Sequence, residues 1–243
     1  MEWIDIAFDL PGENLAADEV LLEQAEAGYG GRLLRFWESE VPFVVLGHGK
    51  KWSEEVDFET CQERQIPILR RCSGGGTVMQ GAGCLNYGLV LPLDETGPLA
   101  TIRGANSYVM ERHRALFEGL LETTVRVAGH TDLVVGGLKF SGNAQRRKSR
   151  ALLFHGTFLL GLDLDLMACV VRDPKVQPAY REGRPHGRFV VNLNLQSDRV
   201  KRELATVWGA GPSTSTGGMP GFVEAVTKLA LTRYSDPAWN LKF

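Results

Sequence analysis

The chain of 243 residues has only four cysteines, Cys61, Cys72, Cys84 and Cys169, and none of them share a Cys-x-x-Cys spacing. This pattern argues against a structural zinc site and is typical of a reduced, cytoplasmic protein. A signal peptide and an apolar run long enough to span a bilayer are also missing. The net charge of −2 gives no global reason to bind nucleic acid or a membrane, so any anion site has to be local.

Helical and extended patterns are mixed along the chain without regular β-α-β alternation, which predicts an α+β fold in one domain. The predicted helices cover 14–27, 58–65, 106–121, a stretch after Ser197, and 222–233. The predicted strands cover 33–37, 42–46, 66–69, 85–92, 125–127, 133–135, 138–140 and 151–160. Asn14 and Ser197 are the predicted N-caps, Pro67 predicts a sheet edge or the start of a strand, and the segment 211–218 is predicted to be mobile.

Three consecutive glycines follow two arginines in the segment Arg70-Arg71-Cys72-Ser73-Gly74-Gly75-Gly76-Thr77-Val78. Glycines permit positive φ and let backbone N–H groups approach a ligand, and arginines offer forked hydrogen bonds to phosphate or carboxylate. The lysine of a P-loop is missing, and the spacing is not that of a dinucleotide fingerprint. A glycine-rich hairpin loop with two solvated arginines is the alternative interpretation.

The second candidate for a binding site is Lys139, in the segment Gly137-Leu138-Lys139-Phe140-Ser141-Gly142-Asn143-Ala144-Gln145. The turn Gly136-Gly137 predicts a hairpin that holds Lys139 at a fixed height above a sheet. A lysine so held can bind a carboxylate and a phosphate and can stabilise charge in a transition state, whereas the alternative is a solvated surface lysine. His155, in an otherwise apolar strand, is either a core histidine or a site residue.

In their order along the chain, these segments resemble the biotin/lipoate protein ligase family, and within it the lipoate–protein ligase branch. The resemblance runs from the first helix to past the middle of the sequence. The residues that carry it are Asn14-Leu15-Ala16-Ala17-Asp18-Glu19, Arg70-Arg71 with Ser73-Gly74-Gly75-Gly76, Asn86, Gly129-His130-Thr131-Asp132-Leu133-Val134, Lys139 with Ser141-Gly142-Asn143-Ala144-Gln145, and His155-Gly156-Thr157.

The resemblance implies a class II biotin/lipoyl synthetase-like catalytic domain over residues 1–243, with a curved mixed β-sheet flanked by helices. It also implies an enzyme that uses ATP and Mg²⁺ to activate lipoate, or octanoate, as an acyl-adenylate. The acyl group then passes to a specific lysine of an acceptor, such as the glycine-cleavage H protein or a lipoyl domain of a 2-oxoacid dehydrogenase.

The resemblance further implies that Lys139 is the central catalytic residue, because it would contact the acyl carbonyl and the phosphate. The expected lipoate- and adenylate-binding residues are Arg70, Arg71, Ser73, Gly74, Gly75, Gly76, Thr77, Val78, Asn86, Asp132, Ser141, Gly142, Ala144, Gln145, His155, Gly156 and Thr157. Mg²⁺ is expected to bind through the ATP phosphates and Asp132.

Two departures from the family pattern bear on function. Met79-Gln80 stands in the stretch where family ligases usually have a His-Asp pair, so the contacts of that pair are not expected here. The best-known ligases also carry a C-terminal accessory domain, which the chain is expected to lack. A separate accessory subunit and a chain that acts alone both fit this expectation.

Two other functions remain open from the sequence. Related octanoyltransferases take the acyl group from a carrier protein with a cysteine thiolate. In the branch closest to this chain that cysteine precedes the lysine, whereas no cysteine lies between Thr123 and Leu138. Cys84 is the alternative nucleophile, although a small buried hydrophobe is its other interpretation. A non-catalytic lipoate-binding subunit is the third reading, and biotin ligation is disfavoured because no Gly-Arg-Gly-Arg-x-Gly stretch is present.

Overall fold

The computed structural model describes residues 1–93, 95–213 and 221–243. Eleven strands are assigned in this part of the chain. They are β1 (Glu2–Asp5), β2 (Leu33–Trp37), β3 (Phe43–Leu46), β4 (Ile68–Arg70), β5 (Val78–Gln80), β6 (Cys84–Pro92), β7 (Val125–Ala128), β8 (Asp132–Val135), β9 (Leu138–Arg147), β10 (Ala151–Leu159) and β11 (Gly211–Pro212). The helices are α1 (Pro11–Glu26), α2 (Trp52–Glu55), α3 (Phe58–Glu63), α4 (Ile102–Leu121), α5 (Leu164–Val170), α6 (Ser197–Val207), α7 (Phe222–Leu229) and α8 (Pro237–Asn240).

Eight of these strands form one mixed sheet in the order β11-β1-β2-β6-β10-β9-β8-β7. β1 runs parallel to β2 and to β11, and the remaining neighbours are antiparallel. A smaller sheet of the described chain has the order β4-β3-β5, so β4 lies at an edge as its proline predicted. The α+β class and the large mixed sheet flanked by helices are confirmed.

Helices cover both faces of the large sheet because its strands are apolar on both sides. On one face, Val109 and Phe117 of α4 and Leu204 of α6 pack against a core that includes Phe154. On the other face, α1 packs beside α7 over a second core. A run of nine residues in α1, from Asn14 to Leu22, is buried, so this helix is enclosed rather than amphipathic. A polar side chain on α1 therefore needs a partner inside the protein.

Both predicted N-caps were wrong. Pro11 occupies the first turn of α1 and Leu10 is its N-cap, so Asn14 lies inside the helix. Its side chain instead bonds the backbone of Phe8. Gln196, not Ser197, is the N-cap of α6.

Helix α4 begins at Ile102, earlier than predicted, because the Thr101 side chain caps it by accepting a hydrogen bond from Gly104 N. Strand β9 extends to Arg147 rather than stopping at Phe140. In the segment predicted to be mobile, Gly211–Pro212 forms β11, and residues 214–218 lie outside the described residues.

The hairpin predicted around Gly136-Gly137 is confirmed. Both glycines have positive φ, 56° and 81°, as a two-residue turn of this kind requires. The β8–β9 register shifts between Leu133 and Val134, which is a β-bulge opposite Lys139. Bulges change the direction in which side chains point. This bulge therefore bears on the orientation of Lys139, the predicted catalytic residue.

Candidate active site

The glycine loop, residues 72–77, is folded around the guanidinium group of Arg71. Arg71 Nη2 donates to the carbonyl oxygens of Gly74 at 2.6 Å and Gly76 at 2.8 Å. The side chain is buried, and burial lowers its pKa to about 10, so it stays charged at neutral pH. No carboxylate of the described chain lies within ion-pair distance of it. Arg71 is therefore a buried cation that lacks a protein counter-ion and faces a cavity.

A close approach of two loops makes the backbone at Gly47 and Gly75 special. A Cβ built on Gly47 would lie 2.2 Å from Gly75 O, and Gly75 has a φ of +88°. His48 N also donates to Ser73 O at 2.8 Å. The loop after β3 therefore supports the glycine loop from below, with no room for a side chain at Gly47.

Arg70 points away from the cavity and braces the loop from outside. It is fully buried, and its Nη1 donates to the carbonyl oxygens of Gly47 and Lys50 at 2.9 and 2.7 Å. Its Nε donates to Asn240 O, and Trp239 Nε1 donates to Arg70 O. Arg70, predicted to bind ligand, thus ties the glycine loop to helix α8.

A chain of polar side chains connects the glycine loop to helix α1 and strand β2. His155 Nε2 lies 2.6 Å from Ser73 Oγ, and its Nδ1 lies 3.1 Å from Asp18 Oδ2. Arg35 Nη1 donates to Asp18 Oδ1 at 2.6 Å. Burial alone would raise the pKa of Asp18, but Arg35 and His155 bring it below its ordinary value. The network fixes the imidazole ring of His155 relative to the glycine loop.

Lys139 stands at the centre of the site. Its Nζ lies 2.8 Å from Asp132 Oδ1, and Tyr180 Oη donates to Asp132 Oδ2 at 2.6 Å. Lys139 N donates to Phe189 O, and Val191 N donates to Lys139 O, so the segment 171–196 forms a bridge against β9. Burial and the Asp132 carboxylate raise the pKa of the Tyr180 hydroxyl. Lys139 is thereby held on both its backbone and its side chain.

Asn143 of β9 bonds to Tyr87 of β6 and to Thr131 in the turn before β8. Its Nδ2 donates to Thr131 O at 2.6 Å, and its Oδ1 accepts from Tyr87 Oη at 2.6 Å. A Cβ on Gly156 would lie 1.8 Å from Asn143 Oδ1, so only glycine fits there. The carboxamide, and with it this wall of the site, is fixed from three sides.

Two cavities adjoin at Lys139. The inner cavity has a volume of about 140 Å³ and reaches Trp37, Gln80 and Tyr87. The outer cavity has a volume of about 770 Å³. Residues that line both are Gly76, Thr77, Val78, Asp132, Lys139, Gly142, Asn143 and Thr157. Basic side chains that line the outer cavity are Lys50, His130, Lys139, Arg172, Arg181 and His186. A smaller cavity therefore adjoins a larger one, which the carboxylates of Glu55 and Asp132 also line.

Most of the predicted site residues line these cavities. They are Arg71, Gly75, Gly76, Thr77, Val78, Asn86, Asp132, Lys139, Ser141, Gly142, Ala144, His155, Gly156 and Thr157. Arg70, Ser73, Gly74 and Gln145 lie outside the lining. Ser73 acts on the site through His155, and Gly74 through Arg71. Gln145 instead donates to Ile102 O at the start of α4.

Sequence reasoning missed two groups of lining residues. Trp37 and Tyr87 lie in predicted strands, and Asp18 lies among the residues of the first helix that carry the family resemblance, but none of the three was predicted to line the site. Arg181 and His186 lie in the segment 171–196, which carries two short 3₁₀ turns and little periodicity. No pattern in that segment indicated that it would reach Lys139.

The cysteines do not offer a nucleophile in either cavity. Cys84 is fully buried, and burial raises the pKa of its thiol to about 12. Burial likewise raises the pKa of Cys72 to about 12 and of Cys61 to about 11. Cys169 is exposed on α5, outside both linings. The interpretation of Cys84 as a small buried hydrophobe fits this placement.

Two further features of the described chain bear on function. None of its helices is both long and apolar enough to cross a membrane. Across residues 1–93, 95–213 and 221–243, no three acidic, histidine or cysteine side chains are grouped as a metal site.

The sequence matches the lipoyl protein ligase A/B catalytic domain over residues 10–204. The chain belongs to this family. The family predicted from the motifs is thereby confirmed, and the match includes both the glycine loop and Lys139. It ends within α6, so α7 and α8 lie beyond it.

Relatives in the lipoyl protein ligase A/B family carry two kinds of name. Lipoate-protein ligase A subunit 1 of Thermoplasma acidophilum is 29% identical, over 84% of this chain and 82% of the relative. Octanoyltransferase LipM of Geobacillus kaustophilus is 25% identical, over 99% of this chain and 97% of the relative. Family membership thus shows an enzyme fold shared by lipoate ligases and octanoyltransferases, without deciding between the two reactions.

Solved structures of the family share the fold. A bi-partite lipoate protein ligase described with its E2 lipoyl domain, from Thermoplasma acidophilum, has a TM-score of 0.77 at 22% identity. The similarity covers 99% of this chain and 96% of that one. A lipoate-protein ligase A bound with ATP has a TM-score of 0.75 at 22% identity, covering 99% of both chains. The predicted synthetase-like fold is confirmed.

Proposed function

We propose that the protein is an ATP-dependent lipoate–protein ligase that forms a lipoyl-adenylate and transfers the lipoyl group to a lysine of an acceptor domain. The observation that carries this proposal is the position of Lys139. Its amine lies where a small interior cavity and a larger basic cavity adjoin. A cation at such a junction can contact both an acyl carboxylate and a nucleotide phosphate.

The inner cavity is the proposed acyl site. Its walls include the apolar side chains of Leu15, Val45 and Val78. The acyl chain would lie among them, and its carboxylate would face Lys139. Arg71 also lines this cavity and adds a buried positive charge to that of the partly exposed Lys139.

The outer cavity is the proposed nucleotide site. Its volume is in the range of small-molecule and cofactor pockets, roughly 300–1,000 Å³. Glycine-loop residues and side chains such as Arg181 line it, which suits a polyphosphate. A single carboxylate, Asp132, lies next to Lys139, and Mg²⁺ commonly binds through one or two carboxylates together with substrate phosphates. This donor set fits a Mg²⁺ ion carried by ATP, which would neutralise phosphate charge.

The proposed chemistry has two steps. A carboxylate oxygen of lipoate attacks the α-phosphorus of ATP, the bond to pyrophosphate breaks, and pyrophosphate leaves. The acceptor lysine, as a free amine, then attacks the acyl carbon, and AMP leaves with the oxygen that joined it to the acyl group. Lys139 would stabilise charge on the phosphoryl oxygens in the first step and on the acyl oxygen in the second. No covalent enzyme intermediate is required.

The proposed acceptors are lipoyl domains, including the glycine-cleavage H protein and the 2-oxoacid dehydrogenase domains. The Thermoplasma relative is named as one subunit of a ligase, and a similar structure is described as bi-partite. Residues 1–243 are the proposed catalytic domain. Activity should therefore be measured both with and without a separate accessory subunit. The four free cysteines fit a reducing compartment such as the cytoplasm.

Octanoyl transfer through a thiol is the competing function, since several relatives bear that name. Such a reaction needs a thiolate that reaches the acyl carbonyl beside Lys139. Cys84 is fully buried, and its pKa of about 12 leaves it protonated at neutral pH. The ligase reaction needs no thiol, and the arrangement of the site favours it.

The test is the intact mass of an apo lipoyl domain after incubation with the protein, lipoate and Mg-ATP. A lipoyl mass increase that requires ATP supports the ligase. An increase from octanoyl carrier protein without ATP would establish the transferase instead. Lipoate binding without any mass increase, even after an accessory subunit is added, would point to a binding subunit. An acceptor whose target lysine is replaced by arginine is the matched control.

A further inference from the structure

Three buried polar atoms in the walls of the inner cavity have no partner. Trp37 Nε1, Thr77 Oγ1 and Gln80 Oε1 are each buried without a hydrogen bond to any described residue. Trp37 is 2% exposed and Gln80 is 4% exposed, and all three residues line the cavity. The indole can only donate, the amide oxygen can only accept, and the threonine hydroxyl can do both.

Unpaired buried polar groups are costly, so native proteins rarely keep them without a purpose. Elsewhere around this cavity the polar side chains are paired, for example Asp18 with Arg35 and Asn143 with Tyr87. The unpaired donor of Trp37 and acceptor of Gln80 are therefore available to whatever occupies the cavity. Water can satisfy both before a ligand enters.

Gln80 is also the point at which this chain departs from its family pattern. It ends strand β5, next to Met79, in the stretch where a His-Asp pair is usual. Its neighbours in the cavity wall include Val45 and Val78, which are apolar. Asn86 and Asn143 also line the cavity, but their side chains donate to Cys84 O and Thr131 O, so Gln80 is the amide of this lining whose oxygen is buried and unpaired. An unpaired acceptor in this position can select for a hydrogen-bonding ligand.

We propose that Gln80 and Trp37 make the inner cavity selective for a sulfur-bearing acyl chain, and for its reduced dithiol form above all. The proposal rests on the proposed function, which puts the carboxylate at Lys139 and the chain in the inner cavity. A dihydrolipoyl thiol can donate to Gln80 Oε1, and a second sulfur can accept from Trp37 Nε1. The dithiolane ring of lipoate can accept but not donate. An octanoyl chain can neither accept nor donate a hydrogen bond. It also displaces the water that would otherwise pair with Gln80 and Trp37.

The expected order of affinity is therefore dihydrolipoate, then lipoate, then octanoate. A site built to hydrogen-bond its ligand rejects analogues that lack the group, and sulfur is a weak partner. We expect about a tenfold step in dissociation constant for each bond lost, a value at the low end for pocket discrimination. Gln80→Met keeps the side-chain length and removes the amide, so dihydrolipoate should bind within about threefold of lipoate. Octanoate should stay about tenfold weaker than lipoate, because Trp37 Nε1 is unchanged.

The experiment is isothermal titration of the three acids, under anaerobic conditions, into the wild-type protein, Gln80→Met and the matched control Gln62→Met, which changes an exposed glutamine. The predicted order in the wild type and control, with dihydrolipoate and lipoate binding alike in Gln80→Met, supports the proposal. Octanoate binding as tightly as dihydrolipoate in the wild type, or an unchanged preference for dihydrolipoate over lipoate in Gln80→Met, overturns it while leaving the ligase function standing. Binding of none of the acids overturns both.

If Gln80→Met does not fold, Trp37→Phe takes its place. This variant keeps an aromatic ring in the wall and removes the N–H donor. It should weaken lipoate and dihydrolipoate while leaving octanoate unchanged. Equal weakening of all three acids would show a packing role only and would overturn the proposal.

Discussion

Replacing Asp18 by asparagine should destabilise the protein strongly, because Asp18 neutralises a buried arginine. Arg35 is fully buried, and its Nη1 lies 2.6 Å from Asp18 Oδ1. Asp18 is the only carboxylate of the described chain within ion-pair distance of Arg35. Removing one member of such a pair costs about 3–5 kcal/mol, since the other charge stays buried. At about 2–4 °C per kcal/mol for a chain of this size, the melting temperature should fall by about 6–20 °C.

Thermal and urea unfolding of Asp18→Asn, with Glu111→Gln as control, measures this effect. Glu111 pairs with Arg114 on the exposed face of α4, where an ion pair contributes little. The control should therefore unfold almost like the wild type. A loss below about 1 kcal/mol in Asp18→Asn would refute the reasoning, because it would mean that Arg35 is neutralised by other groups.

The same pair predicts a pH dependence with a definite sign. The folded-state pKa of Asp18 lies below its ordinary value of 3.8, because Arg35 and His155 outweigh the effect of burial. The contribution of the carboxylate is fully present above that ordinary value and is lost as the pH falls through the folded pKa. The difference in unfolding free energy between wild type and Asp18→Asn should therefore shrink below about pH 4. A difference that stays constant down to pH 2 would contradict the assignment.

Three further predictions follow from the site. Lys139→Ala should lower the rate of acyl transfer at least about 10²–10³-fold, because it removes a donor that stabilises charge in the transition state. Its circular dichroism spectrum should stay unchanged, and near-normal turnover would refute the role of Lys139. Cys84→Ser should retain ATP-dependent transfer, because the thiol is fully buried, whereas loss of activity in a folded variant would favour a thiol mechanism. Gly156→Ala should cost about 1–3 kcal/mol by overpacking, since its Cβ would meet Asn143 Oδ1; urea unfolding measures this, and a neutral result would contradict the tight wall.

The sequence predicted the turn before Lys139 and the strand around His155 because their signals are local, but it missed residues 141–147 of β9. Gly136-Gly137 specifies the turn, and the apolar strand around His155 specifies its neighbour. Both depend on residues close together in the chain. The pairing of β8 with β9 followed from the short turn between them, whereas the pairing of β9 with β10 was not predicted.

Local patterns could not predict that Arg71 lines the cavity whereas Arg70 points away from it. Successive side chains of an extended segment point to opposite faces, so one arginine of the pair had to leave the cavity. Which one left depends on helix α8, which lies about 170 positions further along the chain and accepts the Arg70 hydrogen bonds. The contact of segment 171–196 with Lys139 is also non-local, and no periodic pattern in the sequence predicts it.

The most direct test of the adenylate mechanism follows an oxygen atom. Lipoate labelled with ¹⁸O in both carboxylate positions is incubated with the protein, Mg-ATP and an apo lipoyl domain, and the AMP is analysed by mass spectrometry. The mechanism predicts AMP carrying one ¹⁸O, with the second label kept in the amide of the acceptor. Lipoylated acceptor together with unlabelled AMP, or lipoylation without ATP consumption, would contradict it.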